Sequence, residues 1–245
     1  MTIETIEVNG VPLRISRPSG PAQSGVVVLH QAPGWSPQTA GWLDRLAADG
    51  HLAVAPLLHH RAGVEAVDPM ARFAGDMAAF AAFLPGDDEV RSDVDAALSV
   101  LADAGITEER TGLLGFSYGG RAAYLLATER ALGAAVSFYP GGIQRKNFHG
   151  NDELPALDDR TAQLRTPWVG LIGDQDFMLT PGELDDWTAS LADAPVSAEL
   201  VVYPGAGHAF DVDAPMGPGM PSPYVATASE DATHRTTEHF RTHLA

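Results

Sequence analysis

The chain contains no cysteine. Disulfides, thiolate metal centres and a thiol nucleophile are therefore excluded, and covalent chemistry must run through another side chain. Basic residues are scarce: 15 Lys and Arg stand against 32 Asp and Glu, for a formal net charge of -17 over 245 residues. Such a surface repels nucleic acid and anionic membranes, so neither is expected as a partner and a small molecule fits better. No apolar run approaches the length of a membrane span. Met1-Thr2-Ile3-Glu4-Thr5 has neither the basic nor the apolar region of a secretory leader, so cytoplasmic residence is the expectation. Low-complexity tracts, internal repeats and linkers are missing as well. With 45% hydrophobic and 19% charged residues, a packed core is expected rather than disorder, and residues 1–245 read as one α/β domain.

What is present alternates between strand and helix patterns. Two short runs in 3–16 flank Asn9-Gly10, a strong hairpin signal, and predict an antiparallel edge hairpin. Continuous apolar runs at 25–30, 52–55, 112–115, 134–139, 167–173 and 198–203 predict buried parallel strands. Helical spacing covers 39–48, about 69–83, about 88–104, 118–128, 180–192 and about 225–244. Thr180-Pro181-Gly182-Glu183 supplies an N-cap, a proline at the first helical position and a capping-box glutamate. Residues 140–166 have no period and many breakers, so they read as a long loop that borders the pocket. The Pro- and Gly-rich 214–224 reads as a stiff surface loop.

The chain is organised around Gly112-Leu113-Leu114-Gly115-Phe116-Ser117-Tyr118-Gly119-Gly120. A strand ending in Gly115 and a helix opening at Tyr118 put Ser117 on the sharp turn between them, the geometry of a nucleophile elbow. Side chains at Gly115 or Gly119 are expected to collide with neighbouring backbone. A Gly-x-Ser-x-Gly pattern alone is weak, and an ordinary βα turn is its alternative; the flanking strand and helix are what point to a nucleophile.

A serine hydroxyl needs a base within hydrogen-bond reach, and the base needs an orienting acceptor. In α/β-hydrolases the order along the chain is serine, acid, histidine. Of nine histidines, His30, His51, His59 and His60 precede Ser117, and His149 precedes the candidate acids. His234, His239 and His243 fall on the last helix, where a solvated face explains them. His208, in a Gly-rich loop after the final strand, is left as the base. Asp174 and Asp176 both follow the strand ending at Gly173; position favours Asp176, with Asp174 capping the turn. Asp211 and Asp213 follow His208 and read as loop caps or charges at the pocket rim. The oxyanion donors are expected to be the backbone N–H groups of Tyr118 and of Ala32, because Pro33 has none.

These residues resemble the dienelactone hydrolase family of α/β-hydrolases. The resemblance is carried by Gln31-Ala32-Pro33-Gly34, Ala55-Pro56-Leu57-Leu58-His59-His60-Arg61, Gly115-Phe116-Ser117-Tyr118-Gly119-Gly120, Gly173-Asp174-Gln175-Asp176 and Ala206-Gly207-His208-Ala209-Phe210. It extends to Tyr224-Val225-Ala226 and so spans nearly the whole chain. It implies an α/β-hydrolase fold, a mostly parallel sheet flanked by helices, and a triad at Ser117, Asp176 and His208; at 245 residues the chain has little spare length for a large cap domain. The departures are equally informative. Founding members use a cysteine in the elbow, assisted by a glutamate in the first loop, where this chain has Ser117 and Gln31. Family members that degrade dienelactone hold the substrate carboxylate with arginines, one just beyond the histidine motif; Asp211-Val212-Asp213 stands there instead and disfavours an anionic lactone.

Gln31, His59 and Arg61 are the candidate substrate contacts, with Arg61 and Arg72 the available anion partners. Adjacent His59 and His60 on an extended loop point opposite ways and lack a third ligand, so no metal is expected; one is expected to line the pocket and the other to face water. No cofactor is expected. The chain therefore reads as a serine hydrolase, monomeric or homodimeric, acting on small to medium carboxylic esters or lactones, with thioesters as a variant. The alternative is a weakly catalytic ligand-binding or sensing module on the same fold.

Overall fold

Each of the eight expected strands forms, and together they make one sheet. The computed structural model describes residues 2–144, 147–215 and 222–245, so most of the Pro- and Gly-rich stretch expected to be a stiff loop lies outside the described residues. At the outer edge, β1 (Glu4–Val8) and β2 (Val11–Ser16) form the hairpin. Asn9 and Gly10 both adopt positive φ, 53° and 79°, the twist a two-residue hairpin turn requires, and Val8 therefore faces Val11.

The remaining strands are β3 (Ser24–Leu29), β4 (His51–Pro56), β5 (Thr111–Phe116), β6 (Ala134–Phe138), β7 (Trp168–Gly173) and β8 (Ala198–Tyr203). The sheet order is β1-β2-β4-β3-β5-β6-β7-β8, with β2 antiparallel to both of its neighbours and every pair from β4 to β8 parallel. Every residue of β3, β5, β6 and β7 is buried, because helices cover both faces and a continuous apolar run can then be satisfied on each side.

Alternate side chains feed two cores. Val27, Leu29 and Leu113 pack with α4 (Asp87–Asp103), α5 (Tyr118–Glu129) and α6 (Glu183–Ser190). Val26, Val28, Leu114 and Phe116 pack with α1 (Pro37–Ala48) and α7 (Ala226–His243). From β3 the chain runs through α1 to β4 on one side, then returns to place β5 on the other side of β3. Connections diverge at that boundary, and the crevice outside the carboxyl ends of β3 and β5 is where an open α/β sheet binds ligands.

Two helices differ from expectation. The helix expected over 69–83 is two, α2 (Pro69–Phe73) and α3 (Met77–Phe83). Ala74 and Gly75 turn left-handed between them, and the Asp76 carboxylate then caps α3 by accepting from the Ala78 and Ala79 N–H groups. The helix expected from Thr180 begins only at Glu183, although the Glu183 carboxylate does reach back to the Thr180 N–H at 2.7 Å. The described residues of 140–166 form a loop, as expected, with short 3-10 turns at Phe148–Gly150 and Asp158–Gln163 and with Phe148, Leu154, Leu157 and Leu164 buried. Among the described residues no helix is long and apolar enough to cross a membrane.

Two histidines are held neutral by burial. The ring of His239 lies against the Pro167 carbonyl with its pKa lowered to about 4, and fully buried His30 is lowered to about 3. Unfolded, both take up a proton near the ordinary histidine value of about 6.5. The unfolded state therefore binds more protons below that value, and stability, complete above it, is lost as pH falls toward the folded values. Each histidine contributes a slope of up to about 1.4 kcal/mol per pH unit in that window. Thermal unfolding should show Tm falling between about pH 7.5 and about pH 5; an unchanged Tm would contradict this account.

Candidate active site

The turn after β5 is strained as the pattern requires. Ser117 has φ 52° and ψ -112°, a region that residues with a Cβ avoid and that persists only where surrounding structure imposes it. The imposed contacts are backbone to backbone: the Ser117 N–H donates to the Phe138 carbonyl at 2.9 Å, and the Arg121 N–H to the Ser117 carbonyl at 2.9 Å. A Cβ on Gly115 would lie 2.0 Å from the Gly119 oxygen, and one on Gly119 2.3 Å from the Leu29 oxygen, so both glycines are needed for the strand to reverse into α5.

Loops from three strand ends converge on this turn. His208, after β8, places Nε2 2.9 Å from the Ser117 Oγ and Nδ1 2.8 Å from an Asp176 carboxylate oxygen, Oδ2. The other Asp176 oxygen accepts the Met178 N–H at 2.8 Å, so the carboxylate is fixed in place. All three side chains are buried. A carboxylate beside Nδ1 keeps the proton there and leaves the Nε2 lone pair to accept from the serine hydroxyl. Asp174 is used elsewhere: its Oδ1 accepts the Gly205 N–H at 2.8 Å and so caps the loop that leads to His208.

The N–H groups of Ala32 and Tyr118 have no protein acceptor among the described residues. Tyr118 opens α5, where first-turn amides are unsatisfied and the helix dipole favours developing negative charge. The backbone of Gly119 lies against the Leu29 and His30 carbonyls, which brings the loop after β3 alongside the elbow.

Several expected contacts are engaged within the protein. Gln31 Nε2 donates to Gln38 Oε1 at 2.6 Å and to the Tyr139 hydroxyl at 3.3 Å. Arg61 makes a two-pronged pair with buried Asp93, at 2.9 and 2.8 Å, so its charge is already matched. Arg72 lies 4.7 Å from the Phe83 ring centroid. His59 is buried, its Nε2 donating to the Ala32 carbonyl at 2.8 Å, while His60 Nε2 lies 3.2 Å from Asp93. His60 keeps partial exposure while it contacts Asp93, and the segment turns at His60–Ala62 rather than running extended. Burial lowers the His59 pKa.

The acidic loop also behaves differently from a rim. Asp211 accepts from the Tyr139 hydroxyl at 2.8 Å and from Gln38 Nε2 at 2.7 Å, and burial raises its pKa. Asp213 remains exposed. Tyr139 and Gln38 are neighbours that sequence reasoning missed. The Tyr139 ring meets the His208 ring edge-on at 4.9 Å, directly beside the candidate base. Its place at the carboxyl end of β6, the same edge as Ser117, was the available signal. Phe177, next to Asp176, is 62% exposed and lies 5.1 Å from the His208 ring, an apolar surface at the mouth of the site. Grooves of about 440 and 650 Å³ run along α7 but share no residue with Ser117, His208 or Asp176. Reactive groups, rather than cavity size, pick out the candidate site.

Comparison with known proteins places the whole chain in one family. The dienelactone hydrolase family model matches residues 12–244. A protein of Escherichia coli strain K12 named as a candidate carboxymethylenebutenolidase is 32% identical over 223 residues, covering 88% of this chain and 76% of its own length. A protein of Bradyrhizobium sp. named as a candidate 2-oxo-3-(5-oxofuran-2-ylidene)propanoate lactonase is 33% identical over 159 residues, 64% of this chain and 61% of its own. The crystal structure of a candidate dienelactone hydrolase from Klebsiella pneumoniae superposes with a TM-score of 0.81 at 27% identity, covering 98% of this chain and 97% of that one. A parallel sheet with a strained serine elbow at its switch point, matched along nearly its whole length by one family, makes this chain a member of the dienelactone hydrolase family and a carboxylic ester hydrolase on the α/β-hydrolase fold.

Proposed function

We propose that the protein is a serine hydrolase that cleaves carboxylic esters or lactones of small to medium size through an acyl-enzyme intermediate. The observation that carries this reading is the contact of the Ser117 Oγ with His208 Nε2 at 2.9 Å, while Asp176 holds the opposite ring nitrogen. In the first half-reaction, Ser117 Oγ bonds to the substrate carbonyl carbon as its proton passes to His208 Nε2. The carbonyl electron pair moves to the oxygen, which the Ala32 and Tyr118 N–H groups receive. Collapse of the tetrahedral intermediate expels the alcohol, protonated by His208. Water, deprotonated by the same nitrogen, then attacks the acyl group and releases the acid and Ser117. Asp176 retains its negative charge throughout and stabilises the imidazolium.

The lactonase name of a relative supports cyclic esters as one substrate class. With Arg61 matched by Asp93 and Asp211 beside Tyr139, uncharged esters suit the site better than carboxylate-bearing ones. A fluorophosphonate probe together with p-nitrophenyl acetate tests the proposal. Wild type should take the label and release p-nitrophenol, and Ser117→Ala should do neither. Wild-type turnover by Ser117→Ala would overturn the reading.

A further inference from the structure

One strand-end histidine, which the triad does not use, lies beneath the first-loop amide. His30 follows β3 and is completely buried. Its two nitrogens have opposite tasks that backbone chemistry dictates. The Leu58 N–H donates to Nε2 at 3.1 Å, and an amide N–H can only donate, so Nε2 carries a lone pair. The ring proton is therefore on Nδ1, which donates to the Gln31 carbonyl at 2.7 Å. Burial, reinforced by the neighbouring His59, lowers the pKa to about 3 and keeps this neutral tautomer in place.

The Gln31 carbonyl and the Ala32 N–H belong to the same peptide unit, which is planar and trans, so a donor gripping the oxygen sets the direction in which the N–H points. A hydrogen bond to the carbonyl also polarises the unit and strengthens its N–H as a donor. The next carbonyl, that of Ala32, is held by His59 Nε2 at 2.8 Å. Two imidazoles thus hold the consecutive carbonyls on either side of one N–H that has no protein acceptor among the described residues.

We infer that His30 is a positioning residue for ester hydrolysis, aiming the Ala32 N–H at the oxyanion by holding the Gln31 carbonyl from behind. This rests on the serine mechanism proposed above. The Gly34 N–H also donates to the Gln31 oxygen, at 2.9 Å, so the turn keeps one restraint when the imidazole is removed.

Two substitutions separate positioning from bulk. His30→Phe fills the space without a donor, whereas His30→Asn offers an amide N–H near the place of Nδ1. Both leave the Leu58 N–H unpaired, so their difference isolates the bond to Gln31. The probes are p-nitrophenyl acetate and a trifluoromethyl ketone, which adds to a serine and leaves an oxyanion in the hole. His30→Phe should lower kcat about 10- to 100-fold and weaken ketone inhibition in proportion, with KM near wild type, a fraction of the loss seen when a donor is deleted outright. His30→Asn should recover most of both. Wild-type kcat and ketone affinity in His30→Phe, or equal losses in the two variants, would overturn the inference. If His30→Phe does not fold, His30→Ala takes its place in the comparison. An inert Ser117→Ala alongside an unimpaired His30→Phe overturns this inference alone; an active Ser117→Ala overturns the serine mechanism and this inference with it.

Discussion

Asp176→Asn is expected to lower kcat about 10⁴-fold, the scale of a triad whose imidazole is held in the wrong tautomer. Both carboxylate oxygens of Asp176 are committed, one to His208 Nδ1 at 2.8 Å and one to the Met178 N–H at 2.8 Å. An asparagine in the same pose keeps its oxygen on Met178 and turns its NH₂ toward Nδ1. That nitrogen must then accept, the ring proton moves to Nε2, and Ser117 loses its base. Asp174→Asn should leave kcat near wild type, because the Gly205 N–H needs only an oxygen acceptor and asparagine supplies one. Steady-state hydrolysis of p-nitrophenyl acetate by the two variants decides the matter: comparable losses would remove the basis for assigning the acid to Asp176.

Gly115→Ala should destabilise the fold by about 3 kcal/mol or more, within the upper range for single substitutions that overpack a core. The added methyl would sit 2.0 Å from the Gly119 oxygen, 2.4 Å from its carbonyl carbon and 2.8 Å from the Gly120 nitrogen. All three are backbone atoms, which cannot swing aside as a side chain can, so either β5 or the start of α5 has to move. Ser117 depends on both. Gly41→Ala provides the contrast. It lies within α1, its added Cβ meets nothing within 4 Å, and the change should stabilise by about 0.5–1 kcal/mol through helix propensity. Urea unfolding of the two variants measures the difference, and a wild-type midpoint for Gly115→Ala would show that the elbow tolerates a side chain.

The two glycines illustrate how much of the site was legible in one dimension. Gly115 and Gly119 stand out because a strand pattern and a helix pattern abut at Ser117, and local backbone sterics leave few ways to join them. The triad order adds long-range information: strand ends in a parallel sheet share one edge, so Asp176 and His208 are readable as neighbours of Ser117 from chain order alone. Helix boundaries were less legible. The break at Ala74 and Gly75 interrupts an apolar spacing that otherwise continues across 69–83, because periodicity reports which face is buried and not whether the backbone stays helical.

Side-chain commitments lay beyond reach. Gln31 and Arg61 look available in sequence because polar residues in loops at the ligand edge are candidates for substrate contact. Asp93, 32 residues beyond Arg61, sits in α4, and only packing of that helix beside the second loop turns the pair into an internal ion pair. Asp211 was legible as an acid after the histidine motif, yet its partners Tyr139 and Gln38 arrive from other strand and helix ends.

By itself, then, the sequence determined the class of fold, the strained elbow at Ser117 and the set of reactive residues, since these follow from local sterics, hydrophobic period and chain order. The tertiary structure alone decided which polar groups remain free for a substrate and which are spent on one another. Those choices are made by contacts a few ångströms long between residues far apart in the chain, which no local pattern encodes.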